Sequence, residues 1–267
     1  MSGPSWDQRI ARAEELAEMF PFATEVLGFY ASVARFQKAL YGYIQQARGK
    51  SPLPGPSFRE ALDLVLLLPR FPGFLKVVKE NAPPALSSLA EQMLSETESR
   101  WEKLLRDFWQ GGDRGELPYT ESFFARAFLQ PYAEFVADRL TVPPRHTNSA
   151  TCPVCNSEPV VGVLREEQLG AKRTFVCSLC AYEWDFPRLV CPGCGEDRND
   201  ALAVFTSDYF EHVRVEACDT CKSYIKAVDL TKHGLAIPVV DELASLPLTL
   251  WAQEHGYNKL QPNLMAV

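Results

Sequence analysis

The first 151 residues of this 267-residue chain contain no cysteine, whereas all eight cysteines lie between Cys152 and Cys221. That shift marks a domain boundary. Long apolar runs are also absent: stretches such as Leu64 to Pro69 fall far short of the roughly 18 residues a membrane-spanning helix needs. No membrane span is expected. The N-terminus, Met1 to Arg12, is polar and charged and lacks the basic start, apolar middle and small-residue cleavage site of a secretory signal, so a cytoplasmic location is expected. Thiols stay reduced there, which favours metal ligands or redox groups over disulfides. A basic surplus is missing too. With a net charge of -7 and a pI near 5.3, general binding to a phosphate backbone is disfavoured. Finally, there is no Gly-rich phosphate loop, nucleophile elbow or His-Glu-x-x-His motif. The expectation is a protein that is not an enzyme.

The chain has 46% hydrophobic and 23% charged residues, an ordinary globular composition with enough length for two domains. The boundary falls in the polar, proline-bearing stretch Val142 to Ser149. Before it the pattern is helical. Val26, Tyr30, Val33, Phe36, Leu40 and Tyr43 recur every three or four positions and predict one long amphipathic helix. Leu86, Leu89, Met93, Trp101, Leu104, Leu105 and Phe108 predict another, ended by Gly111-Gly112. Phe123 to Leu140 predicts more helix, kinked or divided at Pro131. After the boundary the elements shorten. Val160–Leu164 with Arg173–Val176, around a Glu-Glu-Gln-Leu-Gly turn, and Leu202–Thr206 with His212–Glu216 read as two strand pairs. Asp241 to His255 reads as helix, with Pro247 breaking it or opening a fresh turn.

The cysteines form four Cys-x-x-Cys pairs: Cys152/Cys155, Cys177/Cys180, Cys191/Cys194 and Cys218/Cys221. Each is half of a tetrahedral four-thiolate site of the kind that holds zinc or iron. The first two pairs are separated by 21 residues and the last two by 23, whereas only 10 residues separate the middle two. The long gaps match hairpins that return the chain to its start. We therefore expect Cys152, Cys155, Cys177 and Cys180 on one metal, and Cys191, Cys194, Cys218 and Cys221 on the other. The competing topology is interleaved, first pair with third and second with fourth. Both units open with Cys-Pro-x-Cys and carry a tyrosine soon after their second pair, Tyr182 and Tyr224.

The fold class expected is α+β: a multi-helical domain at residues 1–148, a first four-cysteine module at 149–188, and a second at 189–267 with a helical tail. The modules would be tandem rubredoxin-like or zinc-ribbon units. Metals that only staple small cores are the plainest role for them. Chelation would then unfold the modules and leave the ligand-free helices standing. Redox chemistry at single Cys-x-x-Cys pairs fits four such pairs poorly. From Cys152 onward the chain holds 16 acidic and 10 basic side chains, and a divalent ion on four thiolates adds further negative charge. This demotes nucleic-acid binding, the common role of zinc ribbons.

At these residues the chain resembles the FdhE family, the formate dehydrogenase accessory proteins of bacteria. The resemblance rests on Cys152–Val160, Cys177–Trp184 with Arg188, Cys191–Gly195, Glu216–Lys226 and Asp241–Leu246, and more loosely on Leu129–Glu134 in the helical half. It implies a cytoplasmic assembly factor that binds the catalytic subunit of formate dehydrogenase and turns over no substrate. It also implies rubredoxin-type modules holding two metal ions, with iron slightly ahead of zinc. Asn156 stands where the family has glycine after the first pair, but asparagine also adopts the left-handed turn. Pro247 interrupts a helix the family continues. Alternatives are a redox-active iron-thiolate protein acting on that subunit and, less favoured, a nucleic-acid-binding zinc ribbon.

Glu183, Trp184 and Arg188 match the family and are candidates for a partner-facing surface; the plainer reading makes Trp184 core and Glu183 with Arg188 a local ion pair. Asp241 and Glu242 read as helix-capping acids. His146, His212, His233 and His255 are scattered, and none is expected as a ligand.

Overall fold

The structure, a computed structural model, describes residues 3–111, 118–140, 149–167 and 170–265. Among the described residues seven α-helices come first: α1 (Trp6–Met19), α2 (Thr24–Arg48), α3 (Leu64–Leu67), α4 (Phe71–Asn81), α5 (Pro84–Leu94), α6 (Glu98–Gly111) and α7 (Tyr119–Ala137). Helix α1 begins with a capping box, in which Ser5 accepts from the Gln8 N–H and Gln8 accepts from the Ser5 N–H. Helix α2 is the single long helix its periodicity predicts. Glu25 and Arg48 complement its dipole at either end, and Gly49 ends it with φ of 48°.

The helix expected from Leu86 to Phe108 is two helices. The chain breaks at Ser95–Thr97, where the Thr97 hydroxyl accepts from the Arg100 N–H and restarts the chain as α6. Trp101 disguised the break: its Nε1 donates to the Met93 carbonyl at 2.7 Å, so the apolar rhythm continues across a corner. Gly112 of the expected stop lies outside the described residues. Helix α7, by contrast, runs undivided through Pro131. Proline leaves the carbonyl four residues back without its helical partner. That carbonyl, on Ala127, accepts instead from Gln37 Nε2 of α2 at 2.7 Å, which satisfies the buried group.

The strands are β1 (Pro159–Glu167), β2 (Gly170–Cys177), β3 (Glu183–Asp185), β4 (Leu202–Thr206), β5 (Val213–Cys218), β6 (Ser223–Asp229) and β7 (Asn258–Lys259). The two expected strand pairs are present as the antiparallel ladders β1/β2 and β4/β5. They do not stand apart. Strand β6 pairs with β5 antiparallel and with β1 in parallel, so both modules share one sheet in the order β3-β2-β1-β6-β5-β4, with β7 beside β6. After β6 come α8 (Pro238–Ala244) and α9 (Leu246–Glu254), and Pro247 sits in the first turn of α9 as a fresh start.

Residues 142–148 of the expected linker lie outside the described residues, but the packing on either side is continuous. One apolar cluster joins Phe58 of the α2–α3 connection and Phe71, Trp109 and Tyr132 of the helices to Phe175, Trp184 and all four cysteines of the first module. A second joins Leu16, Leu27 and Tyr30 to Val161, Val215, Val240 and Leu248. Arg12 of α1 pairs with Asp241 of α8 at 2.6 Å, both buried. Helices and sheet therefore share their cores, which weighs against helices that stand alone after chelation.

Candidate metal centres

The first three cysteine pairs are tight turns closed by backbone bonds. The Cys152 N–H donates to the Ser157 carbonyl at 2.8 Å, Cys177 to Tyr182 at 3.0 Å, and Cys191 to Glu196 at 2.8 Å. The residue after each second cysteine has positive φ: Asn156 at 63°, Ala181 at 53°, Gly195 at 79° and Lys222 at 56°. This left-handed step turns the chain back so that both sulfurs of a pair face one point, while inner N–H groups of the turn approach sulfur, as Gly193 does to Cys191 Sγ at 3.3 Å. Asn156 adopts the conformation expected of it. Ala181 does so at a steric cost that glycine avoids. Ala181→Gly is expected to raise stability by up to about 1 kcal/mol, measured by denaturant unfolding with metal content unchanged.

Hairpins bring the pairs together as the spacing predicts. Cys152, Cys155, Cys177 and Cys180 form one cluster, and Cys191, Cys194, Cys218 and Cys221 the other, with all sulfurs of a cluster within 4.8 Å of one another. The interleaved topology is not what forms. In both clusters one pair starts at the last residue of a strand, Cys177 of β2 and Cys218 of β5. Sulfur separations across the pairs are 3.3 Å for Cys155–Cys177 and 3.6 Å for Cys152–Cys180 in the first cluster. In the second they are 3.6 Å for Cys191–Cys221 and 3.7 Å for Cys194–Cys218. A disulfide requires about 2.0 Å. A tetrahedron with metal–sulfur bonds of about 2.3 Å has edges of about 3.8 Å, so both clusters have the donor type and spacing to hold one ion each.

Electrostatics points the same way. Burial pushes the Cys177 and Cys180 thiols well above the usual range. Hydrogen bonds from Cys152 and then Cys177 pull the Cys155 thiol well below it. Burial likewise raises Cys191; it also pushes Cys221 up, but bonds from Ser223 together with those from Cys194 and Cys191 bring that thiol to about 7. Four sulfurs this close cannot all ionise unless a cation compensates them. The two clusters differ in access. All four sulfur-bearing residues of the first are buried, whereas Cys194 is exposed and Cys221 half-buried.

The other residues singled out in the sequence go elsewhere. Trp184 is buried, packs edge-on against Phe175 and donates to the Ser149 carbonyl at 3.2 Å. Glu183 pairs with Arg165 through two bonds of 2.8 and 2.9 Å, not with Arg188, and accepts from Thr174. Arg188 is exposed, donates to the Ala171 carbonyl at 3.1 Å and borders a cavity with Arg173 and Arg214. Asp241 does accept from the Ile237 N–H that precedes α8, but it also holds Arg12 and His212. Glu242 is not a cap. It lies fully buried between Lys226 and Lys259. His212, His233 and His255 belong to neither cluster, and His146 lies outside the described residues.

Residues 151–188 match the family model described as FdhE, central domain, and residues 190–266 match FdhE, C-terminal domain, so each match contains one cluster. A protein named Protein FdhE homolog from Aquifex aeolicus is 28% identical over 269 residues, covering 95% of this chain and 93% of that one. Another, from Proteus mirabilis, is 29% identical over 273 residues, covering 97% and 87%. The crystal structure of the FdhE protein from Pseudomonas aeruginosa superimposes with a TM-score of 0.74 at 26% identity, over 99% of this chain and 97% of that one.

Proposed function

This chain belongs to the FdhE family, and from that premise we propose that it is a cytoplasmic accessory protein that binds the catalytic subunit of formate dehydrogenase during maturation and turns over no substrate itself. The observation that carries this reading is that the family match runs through both four-cysteine clusters, whose geometry suits held metals. Such closed thiolate sites stabilise a surface for a partner. No helix among the described residues is long and apolar enough to cross a membrane, in keeping with a partner met in the cytoplasm. The acidic balance of the chain continues to disfavour nucleic acid.

A second reading is favoured by one observation, the exposure of Cys194 and partial exposure of Cys221. Iron at an accessible four-thiolate site can change oxidation state and zinc cannot, so the second cluster could act on the partner chemically. We favour iron slightly over zinc. Elemental analysis of protein made without added metal separates the readings, because a zinc-only protein leaves the binding role alone. The binding role itself predicts that the tagged chain co-purifies with the catalytic subunit, and that deleting its gene removes most formate dehydrogenase activity. Absence of the complex together with full activity in the deletion strain would overturn it.

A further inference from the structure

Two stretches far apart in sequence bring aromatic residues together on the surface: the turn Pro21–Ala23 between α1 and α2, and residues 207–212 between β4 and β5. Phe20 and Phe210 are buried, with ring centroids 5.1 Å apart, in the core shared by the helices and the sheet. Phe22 and Tyr209 lie on that pair, 5.6 and 5.7 Å from the Phe20 ring and 6.3 Å from each other. They stay outside: Tyr209 is 62% and Phe22 46% exposed, and Met19, the last residue of α1, 55%. Large apolar groups scattered singly over a surface are ordinary, but rings gathered from two segments form a patch of the kind that marks an interaction site. Its borders are acidic. Glu18, Glu25, Asp208 and Glu211 flank these residues in the chain, are exposed and have no ion-pair partner among the described residues. The other acids of α1 do: Asp7 pairs with Lys38, Glu14 with Arg35 and Glu15 with Arg12. One cation, Lys232, is tied to the second stretch, where it donates to the Glu211 backbone carbonyl at 3.0 Å.

We propose that this patch docks a segment of a protein partner that carries arginine beside aliphatic residues. The aliphatic side chains cover Met19 and Phe22. A guanidinium stacks its plane on an aromatic face such as that of Tyr209 while its N–H groups pair with carboxylates, which a compact, strongly hydrated ammonium does less well. Charge decides against the other occupants. A second copy of the chain would set one acidic border against another, and a membrane of anionic lipids would be repelled by the same four carboxylates. The inference deepens the proposed function, since it rests on the chain having a protein partner, and it states what that partner presents.

The test titrates the full metal-loaded chain into a fluorescein-labelled, C-amidated pentapeptide of alternating leucine and arginine and follows fluorescence anisotropy. Saturable binding is expected, at least about tenfold tighter than that of the leucine–glutamate analogue. Phe22→Ser with Tyr209→Ser should weaken it at least about tenfold, and so should Glu18→Lys with Asp208→Lys. The lysine pair replaces exposed carboxylates that hold nothing else in place, so it decides the matter if the serine pair impairs folding. Glu96→Lys with Glu102→Lys makes the same change of charge at the α5–α6 corner and in α6, and should leave binding within about twofold. Equal weakening by that control would overturn the proposal, because the general acidity of the chain would then suffice. So would the lack of saturable binding, binding indifferent to Glu18→Lys with Asp208→Lys, or a parent that sediments as a dimer dissociated by the serine pair. Co-purification of the catalytic subunit with the serine pair at the parent's level would also overturn it and leave the partner reading standing. If the parent captures no subunit yet binds the peptide at the patch, the identity of the partner falls and the patch stands.

Discussion

Replacing Cys177 and Cys180 together by serine is expected to cost more than about 5 kcal/mol and to leave little soluble folded chain, because metal affinity at such sites is folding free energy of about 10 kcal/mol or more. The loss should not stay in the module. Cys152, Cys155, Cys177 and Cys180 belong to the same apolar cluster as Phe71, Trp109 and Tyr132, and Arg59 of the helical half donates to the Cys155 carbonyl at 2.7 Å. Without the ion, sulfurs or hydroxyls would stand buried and unpaired against that core. Cys194→Ser with Cys221→Ser removes the second ion instead. Cys194 lies exposed in the loop between β3 and β4 and Cys221 half-buried between β5 and β6, so a local loosening of under about 2 kcal/mol is expected. Far-UV dichroism and metal analysis on both double variants, with a chelator time course on the parent, decide the matter. The helical signal should fall with loss of the first ion, and the second ion should leave first. Equal costs for the two pairs, or helices that persist after the first ion is gone, would show that the shared core does not couple the halves.

That coupling was the part of the fold least legible in the sequence. Cysteine spacing is a local signal, because a hairpin of 20-odd residues closes on itself, and both clusters could be read from it. The partition of the eight sulfurs followed. Strand β6 was missed although Tyr224, Lys226 and Val228 alternate with Ile225 and Ala227, since its partners β5 and β1 come from different modules and pairing across modules leaves no local trace. Helix α1 was missed for a related reason. Its Ser5–Gln8 capping box is the local signal, set in a segment that is otherwise polar and charged. The break between α5 and α6 was hidden by Trp101, whose ring and N–H bridge the corner. Glu183 and Arg188 lie five positions apart in sequence, yet β3 turns the first toward Arg165 while the second reaches the arginine cavity.

Glu242→Gln is expected to destabilise the chain by about 3–5 kcal/mol, although the change is nearly isosteric. Glu242 and Lys226 both have fully buried side chains 3.0 Å apart, and Lys259 bonds the same carboxylate oxygen. Asn263 donates to the other oxygen at 2.9 Å. Lys226 Nζ also reaches the Glu242 carbonyl at 2.5 Å and Thr249 Oγ1 at 3.0 Å, so β6 is tied to α8 and α9 through one ammonium group. Glutamine would leave Lys226, fully buried, with neutral acceptors only. Adding Lys226→Met should recover part of the loss, since it removes that stranded charge. Acid should act in the same sense. Burial alone would raise the carboxyl of Glu242, but Lys226 and then Lys259 outweigh it and hold the group below the usual range; at Asp241, His212 and Arg12 do the same. A carboxyl held lower in the folded state binds fewer protons there than when unfolded. Its stabilisation is full above the unfolded value and is lost as pH falls through the folded one. Glu134 opposes this, because burial pushes its carboxyl up despite Arg9. Melting temperature should therefore fall from about pH 5 toward pH 3, and less steeply in Glu242→Gln, which has lost a titrating group. The difference in stability between parent and variant should shrink as the parent's carboxylate is neutralised. A gap that stays constant across that range would mean that the charge of Glu242 contributes nothing and only its shape matters.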